Sequence, residues 1–595
     1  MSKKDKRKIK EYPWSPYQEA IFSFLENEQG NLVIEACAGS GKSTTLVKCI
    51  DLIPKDMKIL LSAFNQDIVK DLKKKIKGYD NVDVRTLHSL GLLFLRRNYI
   101  DERLIPEPFK YESHIRTNLK NYTSINTFKL NKQQYFKYID NIKKYVDFGR
   151  FYLCQTEKDL DFIEERYGIE TIGDEKKIAT EVMEWGKANL ETIDYTDMIW
   201  LPNSLMLKPI GLLYDYIFLD ECQDLNKAER ELVLKCFKMG TRMISVGDAN
   251  QTIYSFSGAD PNSFDALRNL PNTKTLPLSV SYRCADKIVD FAKKLVPSIE
   301  QNNDKREGKI IQNVHLEDVH DGDMLLCRNN APLIQAYNMF LKIGKKAYIR
   351  GKELGTNLKT AVKTTKKDEL NITCEKDGVF ARLYDDMFTT RNNLMNKFGI
   401  DSETAMKSQV IENKLDIIKA LEILSENINT REELITRIDD IFSKKNKNEG
   451  VSLSTVHKAK GLEADNVYIL CDSLMPSKSA KKEWEVQQEH NLMYVAYTRA
   501  KNTLGFIDEK DFKTFDFTSS GNVAILRRME TLVNKTLNKD TKTAIDKETA
   551  NNIVRVARDL RCANSNIPKI MTTLSTNQRK INTFADILKN VKNKK

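Results

Sequence analysis

The run Ala36-Cys37-Ala38-Gly39-Ser40-Gly41-Lys42-Ser43 constrains this chain more than any other feature. It follows the apolar stretch Asn31–Ala36 and leads into a helical pattern, so a buried strand passes through a glycine-rich turn into a helix. In that setting it reads as a phosphate-binding loop. Gly39 and Gly41 let backbone N–H groups approach a polyphosphate, and the helix N-terminus adds positive potential. The candidate cradle is Ala38, Gly39, Ser40, Gly41, Lys42, Ser43 and Thr44. Lys42 is expected to reach the β- and γ-phosphates of ATP and the Ser43 hydroxyl to bind Mg²⁺. The general pattern opens with glycine, where this chain has Ala36.

Such a loop implies an α/β fold, and the rest of the chain has the pattern for one. Short apolar runs at Asn31–Ala36, Lys58–Phe64, Tyr216–Leu219, Arg242–Val246, Asp323–Cys327, Val451–Thr455 and Asn466–Cys471 alternate with helical stretches, which predicts parallel sheets. With 595 residues, one hydrophobic core is too few. An early group of strands up to about Val246 and a late group from near Lys274 predict two α/β cores. Two stretches break the alternation and read as mostly helical insertions. The expected organisation is 1–90 and 191–275 for the first core, 91–190 for its insertion, 276–355 and 446–510 for the second core, 356–445 for its insertion, and 511–595 for a basic extension with an amphipathic helix at Ile553–Leu560. The aromatics Tyr135, Phe136, Tyr138, Tyr145 and Phe148 recur at helical spacing and are expected in a core.

Asp220-Glu221 directly follows the strand Tyr216–Leu219. This presents both carboxylates at a strand's C-terminal end, where α/β sheets bind ligands. Alone, an acidic pair is a solvated loop. Downstream of a phosphate loop, Asp220 is the candidate Mg²⁺ holder and Glu221 the base that activates water. The net charge of +12 makes polyanions plausible partners without identifying one. Ten scattered cysteines with no Cys-x-x-Cys and six dispersed histidines argue against a structural metal and fit reduced thiols. No apolar run approaches the roughly 20 residues of a membrane span, and the basic start Met1–Lys10 has no apolar stretch after it, so a cytoplasmic protein is expected.

The full run Asp220-Glu221-Cys222-Gln223-Asp224 resembles the Walker B motif of superfamily-one helicases of the UvrD/Rep/PcrA type, and other motifs follow in order. Pro16-Tyr17-Gln18 resembles the Q motif. Ala63-Phe64-Asn65-Gln66 and Thr86-Leu87-His88-Ser89 resemble the next two. Val246-Gly247-Asp248, Gln251 and Ile253-Tyr254-Ser255-Phe256-Ser257-Gly258-Ala259 resemble motif III. Ser281-Tyr282-Arg283 resembles motif IV, Thr455-Val456-His457-Lys458-Ala459-Lys460-Gly461-Leu462-Glu463 motif V, and Tyr494-Val495-Ala496-Tyr497-Thr498-Arg499-Ala500 motif VI.

The resemblance covers about residues 13 to 505, without the insertions or the tail, and implies two RecA-like domains with ATP bound between them. By position, it implies that Gln18 reads adenine, Tyr282 stacks on it, Glu463 holds the ribose, and Gln251, Arg283 and Arg499 sense the γ-phosphate. Phe64, Asn65, His88, Tyr254, Phe256, Thr455 and His457 then line the path of single-stranded DNA, with movement from 3′ to 5′ and ss/dsDNA junctions as substrate. Arg283 and Arg499 are expected in the second core, as arginine fingers whose fixed forks neutralise charge on the transferring phosphoryl group. Tyr254 and Phe256 would share a face if extended, offering a surface for base stacking; packing into the core is the other outcome.

Phe256 stands where the family usually has Trp, and Ser281 where it has Asn. The short second insertion leaves two readings open beside a duplex-unwinding motor: a translocase that strips proteins from single strands, and a silent binding scaffold. Intact Lys42, Asp220, Glu221, Gln251, Arg283 and Arg499 argue against the last. Neither protein partners nor a biological pathway can be read from the sequence.

Overall fold

In the computed structural model, the described residues are 14–63, 66–99, 104, 107–125, 130, 132–255, 258–260, 262–304, 306–363, 379–426, 428, 430–442, 449–508 and 512. They form two compact units, the described residues of 14–283 with those of 292–304, and the described residues of 284–291 with those of 306–512.

The first unit is built on β1 (Asn31–Ala36), β2 (Ile59–Ser62), β3 (Val82–Arg85), β4 (Tyr214–Leu219), β5 (Phe237–Gly247) and β6 (Thr273–Leu278). They lie in the order β3-β2-β4-β5-β1-β6, all parallel. Side chains alternate between the two faces of a strand. Leu32, Ile34, Ile59, Leu61, Phe218, Ile244 and Val246 therefore pack with helices Pro16–Asn27, Lys42–Asp51 and Gln66–Lys75. Val33, Leu60, Ile217 and Met243 face the other way, into a core shared with the helices between β3 and β4. Both faces are covered, as parallel sheets require. A two-stranded parallel pair, β7 (Val280–Ser281) with β8 (Glu300–Gln301), completes the unit.

Between β3 and β4 the described chain is helical, including Lys110–Tyr122, Lys132–Phe151 and Glu175–Ala188. The aromatic pattern holds in part. Tyr138 and Tyr145 are fully buried, while Phe136 is 46% exposed beneath the Arg116 guanidinium. A buried ionic cluster ties these helices to helix Tyr195–Ser204. Arg150 donates to Asp194 and Asp197, and Lys110 pairs with Asp197 at 2.9 Å.

The second unit holds β9 (Lys309–Val314), β10 (Met324–Cys327), β11 (Ala347–Ile349), β12 (Val451–Thr455), β13 (Ala464–Ile469) and β14 (Ala500–Ile507). Their order is β11-β12-β10-β13-β14-β9, again all parallel. Helices Val379–Phe398, Gln409–Leu424 and Arg431–Phe442 share one core with this sheet: Ile411, Leu415 and Leu421 pack with Leu333, Ile334 and Leu453. Arg328, at the end of β10, reinforces that union by reaching Glu489 at 2.8 Å, Gln409 at 3.0 Å and Glu412 at 3.3 Å.

Two expectations need correction. The strand at Lys274 does not open the second group: as β6 it pairs with β1 along its length, from Asn31–Thr273 to Ala36–Leu278. Arg283, expected in the second core, falls in the first unit, because the Tyr282 N–H donates to the Gly39 carbonyl at 2.9 Å and β7 pairs with β8. The extension beyond residue 512, with Ile553–Leu560, lies outside the described residues.

Candidate nucleotide site and nucleic-acid surface

In the first sheet, β4, β5 and β1 are adjacent and parallel, so the segments leaving their C-terminal ends converge. These are the phosphate loop after β1, Asp220-Glu221 after β4, and Asp248 after β5. Gly39 and Gly41 have φ of +74° and +83°, a left-handed conformation that disfavours side chains. At Gly39 a Cβ would come within 2.6 Å of Arg283 Cβ and 2.8 Å of Ser281 Oγ, so glycine is required by both backbone and space.

The helix Lys42–Asp51 then starts with Lys42 and Ser43 pointing at the acids. Lys42 Nζ lies 2.9 Å from each carboxylate oxygen of Glu221, and Ser43 Oγ donates to Asp220 Oδ2 at 3.5 Å. Gln223 Nε2 donates to Glu221 at 2.6 Å, while its Oε1 accepts from the Asp248 N–H at 3.0 Å. Gln251 Nε2 donates to Asp248 at 2.7 Å. One polar chain thus runs Lys42–Glu221–Gln223–Asp248–Gln251. Glu221 itself has φ +54°, unusual for a residue with a side chain and a mark of strain stored at a site.

The electrostatics follow from three carboxylates around one ammonium. Burial pushes Asp220 up to about 6, with Glu221 adding to it and Lys42 opposing. Burial also pushes Asp248 up to about 6, against the pull of Lys42. Burial disfavours charge on Lys42, but Glu221, Asp220 and Asp248 outweigh it and hold the ammonium. This surplus of buried negative charge suits a divalent cation. Among the described residues no three His, Cys, Asp or Glu are grouped to hold a metal. A Mg²⁺ on Ser43 and Asp220 would therefore complete its oxygen shell from phosphates and water. Ser40 is fully buried with its hydroxyl unpartnered, a donor left for a phosphate oxygen.

The remaining candidates are placed unevenly. Gln18 is buried: its Oε1 accepts from the Ser15 N–H at 3.0 Å, its Nε2 donates to Thr45 Oγ1 at 2.9 Å, and the Tyr282 hydroxyl approaches its Oε1 at 3.4 Å. Ala38 is buried and Thr44 exposed. His88 lines a small cavity with Ser62, Asp220, Glu221 and Glu229, and burial lowers its pKa. Tyr254 is half-buried just after Gln251. Phe64, Asn65 and Phe256 lie outside the described residues.

Thr455, His457, Glu463 and Arg499 belong to the second unit. There Thr455 is buried at the end of β12, and Glu463 pairs with Lys501 at 2.8 Å. His457 is pushed down to about 4 by burial and then by Arg328, against Glu489. The Arg499 guanidinium is aimed by the carbonyls of Val495 at 2.9 Å and Leu462 at 3.3 Å. Two members of the polar chain, Gln223 and Asp248, stand in motif runs read from the sequence but were given no role there. Asp248 carried a usable signal, since it follows β5 as Asp220 follows β4.

This arrangement agrees with what the chain is similar to. Residues 16–272 match the UvrD/REP helicase N-terminal domain and residues 450–507 the UvrD-like helicase C-terminal domain, together more than half the chain. The chain belongs to the UvrD/Rep/PcrA family of helicases. Among relatives of this helicase, the F-box DNA helicase protein 1 of Schizosaccharomyces pombe is 25% identical over 82% of this chain and 58% of its own length. The ATP-dependent DNA helicase PcrA of Staphylococcus aureus is 23% identical over 81% of each. This chain therefore spans little more than half of the fission-yeast relative. Among the described residues of the helicase, no helix is long and apolar enough to cross a membrane.

Proposed function

We propose that this ATP-dependent DNA helicase moves 3′ to 5′ along single-stranded DNA and opens duplex at ss/dsDNA junctions. The observation carrying the reading is the polar chain from Lys42 to Gln251, which joins the phosphate loop to the segment bearing Tyr254. In this reading Gly39, Ser40 and Gly41 cradle the triphosphate, and Lys42 leaves Glu221 for the β- and γ-phosphates. Freed of its ion pair, Glu221 takes the proton of the attacking water while Gln223 keeps its carboxylate aimed. Bound at Ser43 and Asp220, Mg²⁺ would neutralise charge on the phosphates. Gln251 and the arginines Arg283 and Arg499 sense the γ-phosphate. The domain division stated from sequence, with β6 assigned to the first core, belongs to this reading.

Changing Lys42→Ala is the direct test. ATPase activity is expected to vanish while oligo(dT) binding persists, because Lys42 is paired with Glu221 in the phosphate-loop site and is assigned to the nucleotide rather than to the strand. Near-normal turnover in the variant would refute the assignment.

A further inference from the structure

A surface cavity of about 610 Å³ opens in the first unit, with Tyr152, Lys158, Phe162, Lys227, Asp260 and Asn262 in its lining. Its size is that of a small-ligand site. The Phe162 ring is 48% exposed and stands edge-on to the buried Tyr152, with centroids 5.3 Å apart. The carboxylates in the lining are already occupied. Asp159 accepts from the N–H groups of Gln155 at 2.9 Å and Thr156 at 2.8 Å and from the Thr156 hydroxyl at 3.0 Å. Asp260 accepts from Arg230 at 3.1 Å and from the Asn262 N–H at 3.0 Å. Lys158 and Lys227 are exposed, and neither makes an ion pair among the described residues. The cavity thus offers two exposed ammonium groups, one of them (Lys227) also acting electrostatically on Asp159, beside a half-exposed aromatic ring.

Its position gives that chemistry a use. The Tyr152 and Tyr167 hydroxyls are hydrogen-bonded at 3.0 Å, and Tyr167 donates to the Ser255 carbonyl at 3.1 Å. Ser255 directly follows Tyr254, and Asp260 and Asn262 follow shortly after it in the chain. The cavity wall is therefore bonded to the same segment that carries the base-stacking candidates.

We propose that this cavity is a further single-stranded DNA subsite, in which Phe162 stacks on a base and Lys158 and Lys227 hold the adjoining phosphates. The subsite rests on the reading of the chain as a single-strand motor and extends the strand's path from Tyr254 onto the helical insertion. Stacking accepts any base, so no sequence preference is expected.

Oligo(dT) binding by the whole chain, followed by fluorescence anisotropy over a range of salt, tests it. Phe162→Ala should weaken binding by about fivefold or more, the lower end for a base–aromatic stack, and leave the salt slope unchanged. Changing Lys158→Ala and Lys227→Ala together should reduce the slope of log K against log salt by about 1.4, two phosphates on a single strand. Lys158 and Lys227 are exposed while the Phe162 ring is half-covered by Tyr152, so thermal melting of each variant separates a lost contact with DNA from a lost fold. Binding within twofold of wild type for Phe162→Ala, with an unchanged slope for the lysine pair, overturns the subsite if Tyr254→Ala still weakens binding. Equally tight displacement of oligo(dT) by dTMP would overturn it in favour of a mononucleotide site. A wild-type chain that does not bind oligo(dT) would instead defeat the motor reading itself.

Discussion

Glu221 and Lys42 neutralise each other at 2.9 Å, so single substitutions should separate nucleotide binding from hydrolysis. Glu221→Gln keeps the shape and the bond to Gln223 but loses the base. It should bind ATP and hydrolyse it about 10²–10⁴-fold more slowly, measured as single-turnover phosphate release. A rate within a few-fold of wild type would remove Glu221 from the role. Lys42, Ser43, Asp220 and Glu221 were legible in the sequence because the first two open the helix after a glycine-rich turn and the last two follow a strand, each within an ordered motif. Gln223 was not, since its importance lies in a side chain that bridges Glu221 and the Asp248 N–H, a pairing that no spacing announces, whereas Asp248 could have been found from its place at the end of β5. For Gln18, position suggests an adenine contact, and what the sequence does not announce is that its amide also accepts from the Ser15 N–H and donates to Thr45.

Strands buried on both faces, such as β1, β2, β10 and β12, read clearly from their apolar runs. Those missed or misgrouped were mostly at sheet edges: β3, β9 and β11 were given no run of their own from the sequence, and the strand near Lys274 was read but grouped with the second core. β3 and β6 flank the first sheet with largely uncovered side chains, and β6 tolerates Pro277 because an edge needs no second ladder. The close approach of the phosphate loop to the Tyr282 segment predicts that Gly39→Ala, forced against Arg283 and into a left-handed φ, destabilises the first unit by about 1–3 kcal/mol. Thermal melting would read this, and an unchanged midpoint would contradict the close packing. In the second unit His457, at about 4, is held neutral against an unfolded value near 6.5. A histidine pKa lowered by folding means that the unfolded chain takes the proton first. Stability from this group is complete above about pH 6.5 and falls by up to about 3 kcal/mol as pH drops towards 4. Asp220 and Asp248, both raised, act in the opposite direction, so the comparison must be with His457→Gln. That variant should lose less stability between pH 7 and pH 4.5 than wild type on the same melting scan; parallel curves would show that His457 does not govern acid sensitivity.

Two all-parallel sheets with helices on their faces were foreseeable from the alternation of apolar runs and from the phosphate loop. Less foreseeable was where chain segments cross from one sheet to the next, because that is decided by pairing: β6 joins β1, and Arg283 follows it into the first unit. Nor did the polar second insertion reveal that its helices share a core with the sheet beside them, since the buried Ile411, Leu415 and Leu421 are diluted by charge along the sequence. Family membership accounts for a helicase, and the direction of movement is the claim on which the proposed function turns. Unwinding of duplexes carrying either a 3′ or a 5′ single-stranded overhang, with and without ATP, measures it directly. The account predicts strand separation only with ATP and only from the 3′ overhang. Equal unwinding from a 5′ overhang, or strand separation without ATP, would contradict it.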